Sequence, residues 1–355
     1  MAYTTIDDPS AHFQTKIWTG NDTSQSITND GNSNLKPDWI WAKKRSASDA
    51  HNLVDTSRGL TNYIFSNVSN GDTTDSSKVQ SMDLNGFSVG ASNSWNDNNV
   101  TYVAWQWKCN GGTTSSNSDG SITTTVQANT TAGFSIVTWT GTGSNATIGH
   151  GLGVVPQLII SKSRGHGENW AVYHQNSNST PEDYYLALDD ERANTDSAVV
   201  WNDTAPTSSV ISIGTQDKIN KSGSTHIAYC FNEIKGYSKF GSYTGNGAQD
   251  GTFVYTGFKP AFILAKRTDT SGKNWYIADS TRSPSNITKA FLSPNLSNAE
   301  DTSGDTTDAY FDILSNGFKM RQDFSHLNAS GSTQIYMAFA ENPFVSSKGV
   351  PTTAR

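Results

Sequence analysis

The densest group of carboxylates in the chain is Asp189-Asp190-Glu191. Hydrolysis of a glycosidic bond needs two carboxylates on opposite sides of the substrate, and neighbours on one loop rarely adopt that arrangement. We therefore interpret the cluster as a solvated turn, with weak Ca²⁺ binding as the alternative, although it lacks the ligand spacing of a known calcium loop. The same alternative applies to a second acidic group, Asp301, Asp305 and Asp308.

Two acid–base pairs recur at the same spacing, Asp55-Thr-Ser-Arg58 and Asp279-Ser-Thr-Arg282. Such a pair could bind a ligand or take part in catalysis, but a salt bridge that braces a turn is the interpretation we favour. The corresponding segment in the middle of the chain carries His174 and Ser177 instead. Any function shared by all three segments would have to survive that replacement.

The histidines show none of the short, regular spacings that zinc sites use. The chain also lacks a nucleophile elbow, a P-loop and a dinucleotide-binding fingerprint on a strand–helix unit. We therefore expect no catalytic residue, no metal and no cofactor, and a protein that is not an enzyme. Cys109 and Cys230 do not make a disulfide framework, and we expect both to be free thiols.

Large aromatic residues near loop segments are the remaining candidates. Exposed aromatic rings stack on sugar faces or anchor protein interfaces, although burial in a core is the interpretation we favour for any one of them. Together with two acidic residues they form our candidate surface or ligand contacts: Trp95, Trp170, Tyr184, Tyr185, Trp201, Asp189 and Asp190.

These residues belong to a segment pattern that occurs three times. A proline, three large apolar residues, a small residue and a lysine recur in Pro37–Lys43, Pro156–Lys162 and Pro260–Lys266. Asp55, His174 and Asp279 follow the prolines at positions 37, 156 and 260 by 18, 18 and 19 residues. A closing strand ends each copy, and its small residue aligns as Ala104, Ala228 and Ala338. These blocks, in the same order and at near-equal spacing, predict three copies of one module.

The pattern predicts an all-β chain of three tandem antiparallel β-sandwich or jelly-roll-like domains, because short strands alternate with turn residues throughout. We place the repeats at residues 1–112, 113–236 and 237–355, and we call them repeats 1, 2 and 3. Repeat 2 is the most divergent and follows a flexible Ser/Thr/Gly-rich spacer at 110–120, whereas repeats 2 and 3 abut. Helix is expected at most near 52–60 or 189–194, and each module is large enough to fold alone.

Charge and hydropathy exclude several classes of partner. The net charge is −7 and no basic stripe exists, so we expect no nucleic-acid binding. No run of eighteen apolar residues and no signal peptide are present, so we expect folding in the cytoplasm without membrane insertion.

Three closing segments, Gly236–Gly247, Gly251–Ile263 and Ile335–Phe344, resemble a repeated module of virion structural proteins from marine tailed bacteriophages. The opening segments Phe13-Gln-Thr-Lys and Pro37–Lys43 resemble the same family, so the similarity covers almost the whole chain. The resemblance implies a virion component without catalytic residues, made in the host cytoplasm, but it does not imply a location on the particle.

Three functions stay open at this point. The first is a tail- or fibre-associated protein that contacts a glycan or protein of the host surface through its loops. The second is a head-decoration protein that binds neighbouring capsid subunits, and the third is a lectin-like or depolymerase module. The arm at 2–12 and the tail at 346–355 have little to hold them in an isolated domain, which favours burial against other chains and predicts a homo-oligomer with other virion proteins as partners.

Overall fold

The computed structural model describes residues 3–301 and 311–351. Repeat 1 contains β1 (Phe13–Thr19), β2 (Gln25–Thr28), β3 (Trp39–Lys44), β4 (Asn52–Asp55), β5 (Asn62–Phe65), β6 (Thr73–Thr74), β7 (Val79–Asp83), β8 (Gly86–Val89), the helical turn α1 (Asn93–Asn96) and β9 (Thr101–Trp107). Repeat 2 contains β10 (Ser115–Asn117), β11 (Thr124–Asn129), β12 (Phe134–Thr140), β13 (Ala146–Gly149), β14 (Leu158–Ser163), β15 (Ala171–His174), β16 (Tyr184–Tyr185), β17 (Thr195–Asp196), β18 (Val210–Ile213), α2 (Asp217–Asn220) and β19 (Thr225–Phe231). Repeat 3 contains β20 (Ser238–Thr244), β21 (Phe253–Tyr255), β22 (Phe258–Arg267), β23 (Trp275–Asp279), β24 (Phe311–Leu314), β25 (Gly317–Met320) and β26 (Thr333–Pro343).

The chain is almost entirely β, and its strands form several antiparallel sheets, as the sequence predicts. The largest sheet of each repeat places the opening strand, the closing strand, the proline strand and the strand after it side by side. This order recurs as β1-β9-β3-β4, β12-β19-β14-β15 and β20-β26-β22-β23. Because the neighbours are not consecutive in the chain, the threefold recurrence of one crossover pattern matches the spacing of the sequence blocks.

Each repeat also has smaller sheets, which are β2-β8-β7 in repeat 1, β13-β18 and β16-β17 in repeat 2, and β21-β25-β24 in repeat 3. One face of the large sheet packs against them. In repeat 1, Ile40 and Val54 of the large sheet share a cluster with Ile27 and Phe87 of the small sheet. Repeats 2 and 3 have clusters of the same kind.

The other face of each large sheet points into one core that all three repeats share. Aromatic rings meet across every pair of repeats. Trp39 stacks on Tyr229 with ring centroids 4.2 Å apart, and Phe13 stacks on Phe339 at 5.2 Å. Phe231 meets Phe339 edge-on at 5.9 Å. The repeats are therefore joined by packed apolar surface, which weighs against the expectation that each could fold alone.

The proline strands are buried on both faces because they lie between these two kinds of core. All six residues of β3 and all six of β14 are buried. Trp39 and Trp41 face the shared core, whereas Ile40 and Ala42 face the core of repeat 1. Continuous apolar runs are typical of strands with no solvated face, so the sequence interpretation of these segments is confirmed.

Two local expectations are wrong. The short helices lie at Asn93–Asn96 and Asp217–Asn220, whereas 52–55 is strand and 189–194 is loop. The segment 110–120 is not a flexible spacer, since β10 lies within it and pairs with β11. The buried Asp38 carboxylate accepts hydrogen bonds from the N–H groups of Cys109 and Gly111, at 2.6 and 2.9 Å, and holds the segment to repeat 1.

The alignment of the third closing strand also needs correction. Ala42 pairs with Ala104 and Ser161 with Ala228, and the corresponding Ala265 pairs with Tyr336. Tyr336 is therefore the counterpart of Ala104 and Ala228, and the sequence alignment on Ala338 is shifted by two residues. As a result Trp105, Tyr229 and Met337 occupy equivalent positions.

The described segments nearest the two ends of the chain are held within the molecule, and residues 1–2 and 352–355 lie outside the described residues. The Tyr3 hydroxyl donates to the Gly257 carbonyl at 2.7 Å, and Ile6 is buried in the shared core. The Ser347 backbone N–H donates to the Asp7 carboxylate at 2.6 Å. Order in these segments therefore does not require a partner chain, and the homo-oligomer stays a prediction.

In the part of the chain that the structure describes, no helix has the length and apolar character needed to cross a bilayer.

Candidate functional site

The contact between repeats 1 and 2, junction 1–2, is fastened by buried charges. Asp55 accepts hydrogen bonds from Arg58 Nε at 2.6 Å and from the Tyr229 hydroxyl of repeat 2 at 2.8 Å. Asp72 then links Arg58 to Arg164 of repeat 2, with N–O distances of 3.1 and 2.8 Å. The favoured interpretation of the Asp-x-x-Arg pair as a salt bridge is confirmed, but the bridge also holds two repeats together.

Junction 3–1 repeats the same arrangement. Asp279 accepts from Arg282 Nε at 2.5 Å and from the indole N–H of Trp105 in repeat 1 at 2.9 Å. Glu300 links Arg282 to Arg45 of repeat 1, at 2.9 and 2.7 Å. Burial opposes ionisation of Glu300, but the hydrogen bond from Arg45 and the charge of Arg282 outweigh it and lower the pKa of this carboxyl.

Junction 2–3 keeps the backbone geometry but loses every one of these charges. The N–H groups of Asp72 and Glu300 donate to the carbonyls of Arg164 and Arg45, and Asn194 donates to the Thr268 carbonyl in the same way at 2.9 Å. Each of the other junctions has two acids, two arginines and a tyrosine or tryptophan at five corresponding positions. At junction 2–3, His174 and Asn194 replace the acids, Ser177 and Thr268 replace the arginines, and Met337 replaces the aromatic residue.

His174 replaces the aspartate without carrying a charge. Its Nδ1 accepts the N–H of Asn176 at 3.1 Å, so the proton lies on Nε2, which is 3.1 Å from the Tyr336 carbonyl of repeat 3. Burial lowers the pKa of His174 to about 4. A carboxylate here would have no side-chain donor from repeat 3 at this position, because Met337 stands where the other junctions have Trp105 or Tyr229.

A cavity of about 490 Å³ opens at junction 2–3. Three lining residues, Ser177, Asn194 and Thr268, occupy the positions that Arg58, Asp72 and Arg164 fill at junction 1–2. The rest of the wall includes the following polar and aromatic residues: Asn176, Asn178, Ser179, Tyr184, Asp269 and Thr333. At the other two junctions the guanidinium groups of Arg58 and Arg282 fill the corresponding space. The cavity at junction 2–3 is our candidate functional site.

A second cavity, of about 340 Å³, lies between repeats 1 and 3. Its main polar side chains already have partners. Lys259 is 2.7 Å from Glu341, and the Gln14 amide donates to the carbonyls of Ser10 and Ser33. The Thr15 hydroxyl in its wall has no partner among the described residues, and it is the replaced junction residues that distinguish the cavity at junction 2–3.

Only one of the predicted aromatic contacts lines the candidate site. Tyr184 is half-buried at the cavity, whereas the other aromatic candidates are buried, as we favoured for any one of them, and this burial removes them as surface contacts. Trp95 packs in the core of repeat 1 and Trp201 in that of repeat 2. The Trp170 indole N–H donates to the Phe65 carbonyl across junction 1–2. The Tyr185 hydroxyl accepts from Arg192 at 2.7 Å.

The acidic candidates have structural partners. Asp189 accepts from the Asn169 amide at 3.0 Å and from the Trp170 N–H at 3.1 Å, and burial raises the pKa of Asp189. Asp190 accepts from Arg192 Nε at 2.6 Å. These carboxylates thus have different partners, and Ca²⁺ binding by the cluster stays an alternative. In the second acidic group, Asp305 and Asp308 lie outside the described residues.

The lysine next to the last residue of each proline strand is a shared feature to which the sequence alone assigned no role. Lys43, Lys162 and Lys266 are all buried, and burial lowers the pKa of each to about 8. Their ammonium groups donate to backbone carbonyls. Lys162 reaches Ser69 across junction 1–2 at 2.6 Å, and Lys266 reaches Lys273 at the same distance. The threefold repetition of the lysine is the signal that could have identified it.

Comparison with protein families matches residues 8–343 to the family described as a domain of unknown function, DUF7483. The chain belongs to this family. The match extends across all three repeats, so it includes both the charged junctions and the neutral one. A search of the curated proteins finds no match.

One group of potential metal ligands escaped the sequence interpretation. His166, Glu168 and Asp217 place ligand atoms within 4.8 Å of one another. His166 Nδ1 lies 2.7 Å from the Ser163 hydroxyl, and its Nε2 has no partner among the described residues. These three residues could hold a divalent cation, but Asp217 is exposed and paired with Lys221 at 3.3 Å. Spacing along the chain could not reveal the group, because the fold alone brings 166–168 and 217 together.

Proposed function

We propose that this chain is a non-enzymatic structural protein of a tailed-bacteriophage virion, and that it contacts the host surface as a tail- or fibre-associated component. The phage origin rests on the resemblance of the segments that open and close the repeats. The structural role rests on how the recurring polar residues are used.

That use is the observation that carries the proposal. The side chains of Asp55, Arg58, Asp279 and Arg282 are fully buried. An acid–base pair that served catalysis would face a cleft that a substrate can enter. These pairs instead fasten one repeat to the next, so the most conspicuous charged motif of the chain supports a rigid assembly.

The architecture that accompanies this function is three β-sandwich domains, at 1–112, 113–236 and 237–355, arranged in a cycle in which each repeat contacts the other two. The small and large sheets that enclose one apolar cluster per repeat support the sandwich description. Loops at the outer ends of such modules are free to contact a host molecule. A homo-oligomer and contacts with other virion proteins belong to the same proposal.

Localisation on the particle tests the proposal. Mass spectrometry of gradient-purified virions should find the protein at a fixed copy number per particle, and labelled antibodies should mark the tail in electron micrographs. Labelling of the head would replace the tail assignment with head decoration. Absence from purified virions that contain their other structural proteins would contradict the proposal as a whole.

A further inference from the structure

The cavity at junction 2–3 arises from a coordinated change of several residues. Loss of one partner from a buried ion pair leaves an uncompensated charge, which is strongly destabilising. At junction 2–3 both acids and both arginines are replaced together, so no buried charge lacks a partner. Ser177 is much smaller than Arg58 or Arg282, and the volume that a guanidinium fills at the other junctions is open here.

Several polar groups at this cavity have hydrogen-bonding capacity that no described residue uses. Asn194 donates its amide N–H to the Ser177 carbonyl, but its buried Oδ1 accepts no hydrogen bond within the described chain. The hydroxyls of Ser177 and Tyr184 and the side-chain amide of Asn176 likewise make no hydrogen bond to a described residue. Because buried polar atoms normally have partners, Asn194 Oδ1 indicates that something else can complete it. Asn176 is exposed and Tyr184 is half-buried, so these two residues add polar groups that a ligand can reach.

The charge of the site points to a neutral ligand. His174 is neutral, and Asn194 replaces the acid that would attract a cation. The remaining ionised group in the wall, Asp269, is paired with Arg267 at 2.5 Å. Amides and hydroxyls both donate and accept hydrogen bonds, as the hydroxyls of a sugar do.

An aromatic ring supplies the apolar side of the site. Tyr184 and Tyr185 are neighbours in β16, so their side chains point to opposite faces. Tyr185 is buried against Lys218 and Arg192, and Tyr184 is directed to the cavity. A tyrosine ring beside free amide and hydroxyl groups matches a pyranose, which has a C–H face and a rim of hydroxyls.

We propose that the cavity at junction 2–3 binds one neutral saccharide unit, with the ring against Tyr184 and its hydroxyls bonded to Asn194, Ser177 and Asn176. The volume of about 490 Å³ is within the range of small-molecule sites. The inference deepens the proposed function, on which it rests for the source of the saccharide, a glycan of the host surface.

Saturation-transfer NMR and calorimetry on the full chain test this site with glucose, galactose, mannose and N-acetylglucosamine as probes. At least one should bind, and Ser177→Arg, which refills the cavity, should weaken binding by about tenfold or more. Ser116→Arg adds the same group on the exposed strand β10 and should leave affinity unchanged. If Ser177→Arg does not fold, Tyr184→Ala serves instead and should weaken binding to a similar extent.

No binding of any of the four sugars, or binding that survives both substitutions at the cavity, would overturn the inference. Displacement of the sugar by free arginine would show a site for cations and would overturn it too. The two proposals fail separately, because virion localisation does not depend on sugar binding. A protein found on the particle that binds no sugar loses only this site.

Discussion

The buried bridge at junction 3–1 leads to a quantitative prediction for Arg282→Ser. The Arg282 side chain is fully buried and donates to Asp279 at 2.5 Å, to Glu300 at 2.9 Å and to the Ile277 carbonyl at 3.0 Å. Its removal leaves the buried Asp279 carboxylate without a counter-charge. Breaking one partner of such a pair costs about 3–5 kcal/mol of unfolding free energy.

Urea unfolding followed by tryptophan fluorescence and circular dichroism measures this loss, provided that the two signals change together. The exposed pair Asp217–Lys221 supplies the control, because Lys221→Ala should cost about 0.5 kcal/mol or less. Adding Asp279→Asn to Arg282→Ser should recover part of the loss, since the amide removes the orphaned charge. A cost of Arg282→Ser below about 1 kcal/mol, or strict additivity of the two changes, would refute the reasoning.

Three further outcomes follow from the shared core and the buried titratable groups. Residues 113–236 expressed alone should lack a dispersed NMR spectrum, because the isolated repeat exposes its share of the central core; a well-dispersed spectrum would contradict this. His174 stays neutral in the folded chain down to pH about 4 but gains a proton near pH 6.5 when unfolded, so stability should fall as the pH drops from 6.5 to 4. The contribution of His174 to this loss of unfolding free energy is about 3 kcal/mol. Between pH 6.5 and 4 the urea midpoint should fall less for His174→Asn than for the wild type. Equal falls in the two proteins would count against the assignment. Cys109 and Cys230 are free and buried, and burial raises the pKa of both thiols, so Ellman's reagent should react only after denaturant is added. Rapid reaction of the native protein would show that one thiol is accessible.

The sequence predicted much of the local architecture, for identifiable physical reasons. The run Trp39–Ala42 is apolar at every position, as a strand buried on both faces requires. The pairing of the third closing strand was misjudged by two residues because residues two apart lie on the same face of a strand. Periodicity therefore could not distinguish Ala338 from Tyr336, and only the hydrogen-bond register does.

The site was harder to predict because it depends on contacts between repeats. Trp170 lies beside a loop in the chain, but its ring lies in the shared core and its indole N–H donates to the Phe65 carbonyl of another repeat. Composition gives no sign of such contacts, so proximity to a loop could not distinguish an exposed ring from a buried one. The cavity depends on Ser177, Asn194 and Thr268, which come from two repeats, and each of them alone resembles an ordinary surface residue. The departure of His174 and Ser177 from the Asp-x-x-Arg pattern was visible, and it is the sequence signal that marks the junction.

The cyclic contact of three repeats within one polypeptide has a consequence for how such a molecule can diverge. A ring built from three identical subunits must carry every substitution three times, so it cannot open one interface without opening all of them. Here each interface is encoded separately. Two of them retain the ion pairs that hold the ring closed, and the third is free to accumulate changes such as Ser177 and Asn194. A single copy of a recognition site can therefore arise on a nearly symmetric body while the other interfaces preserve its stability.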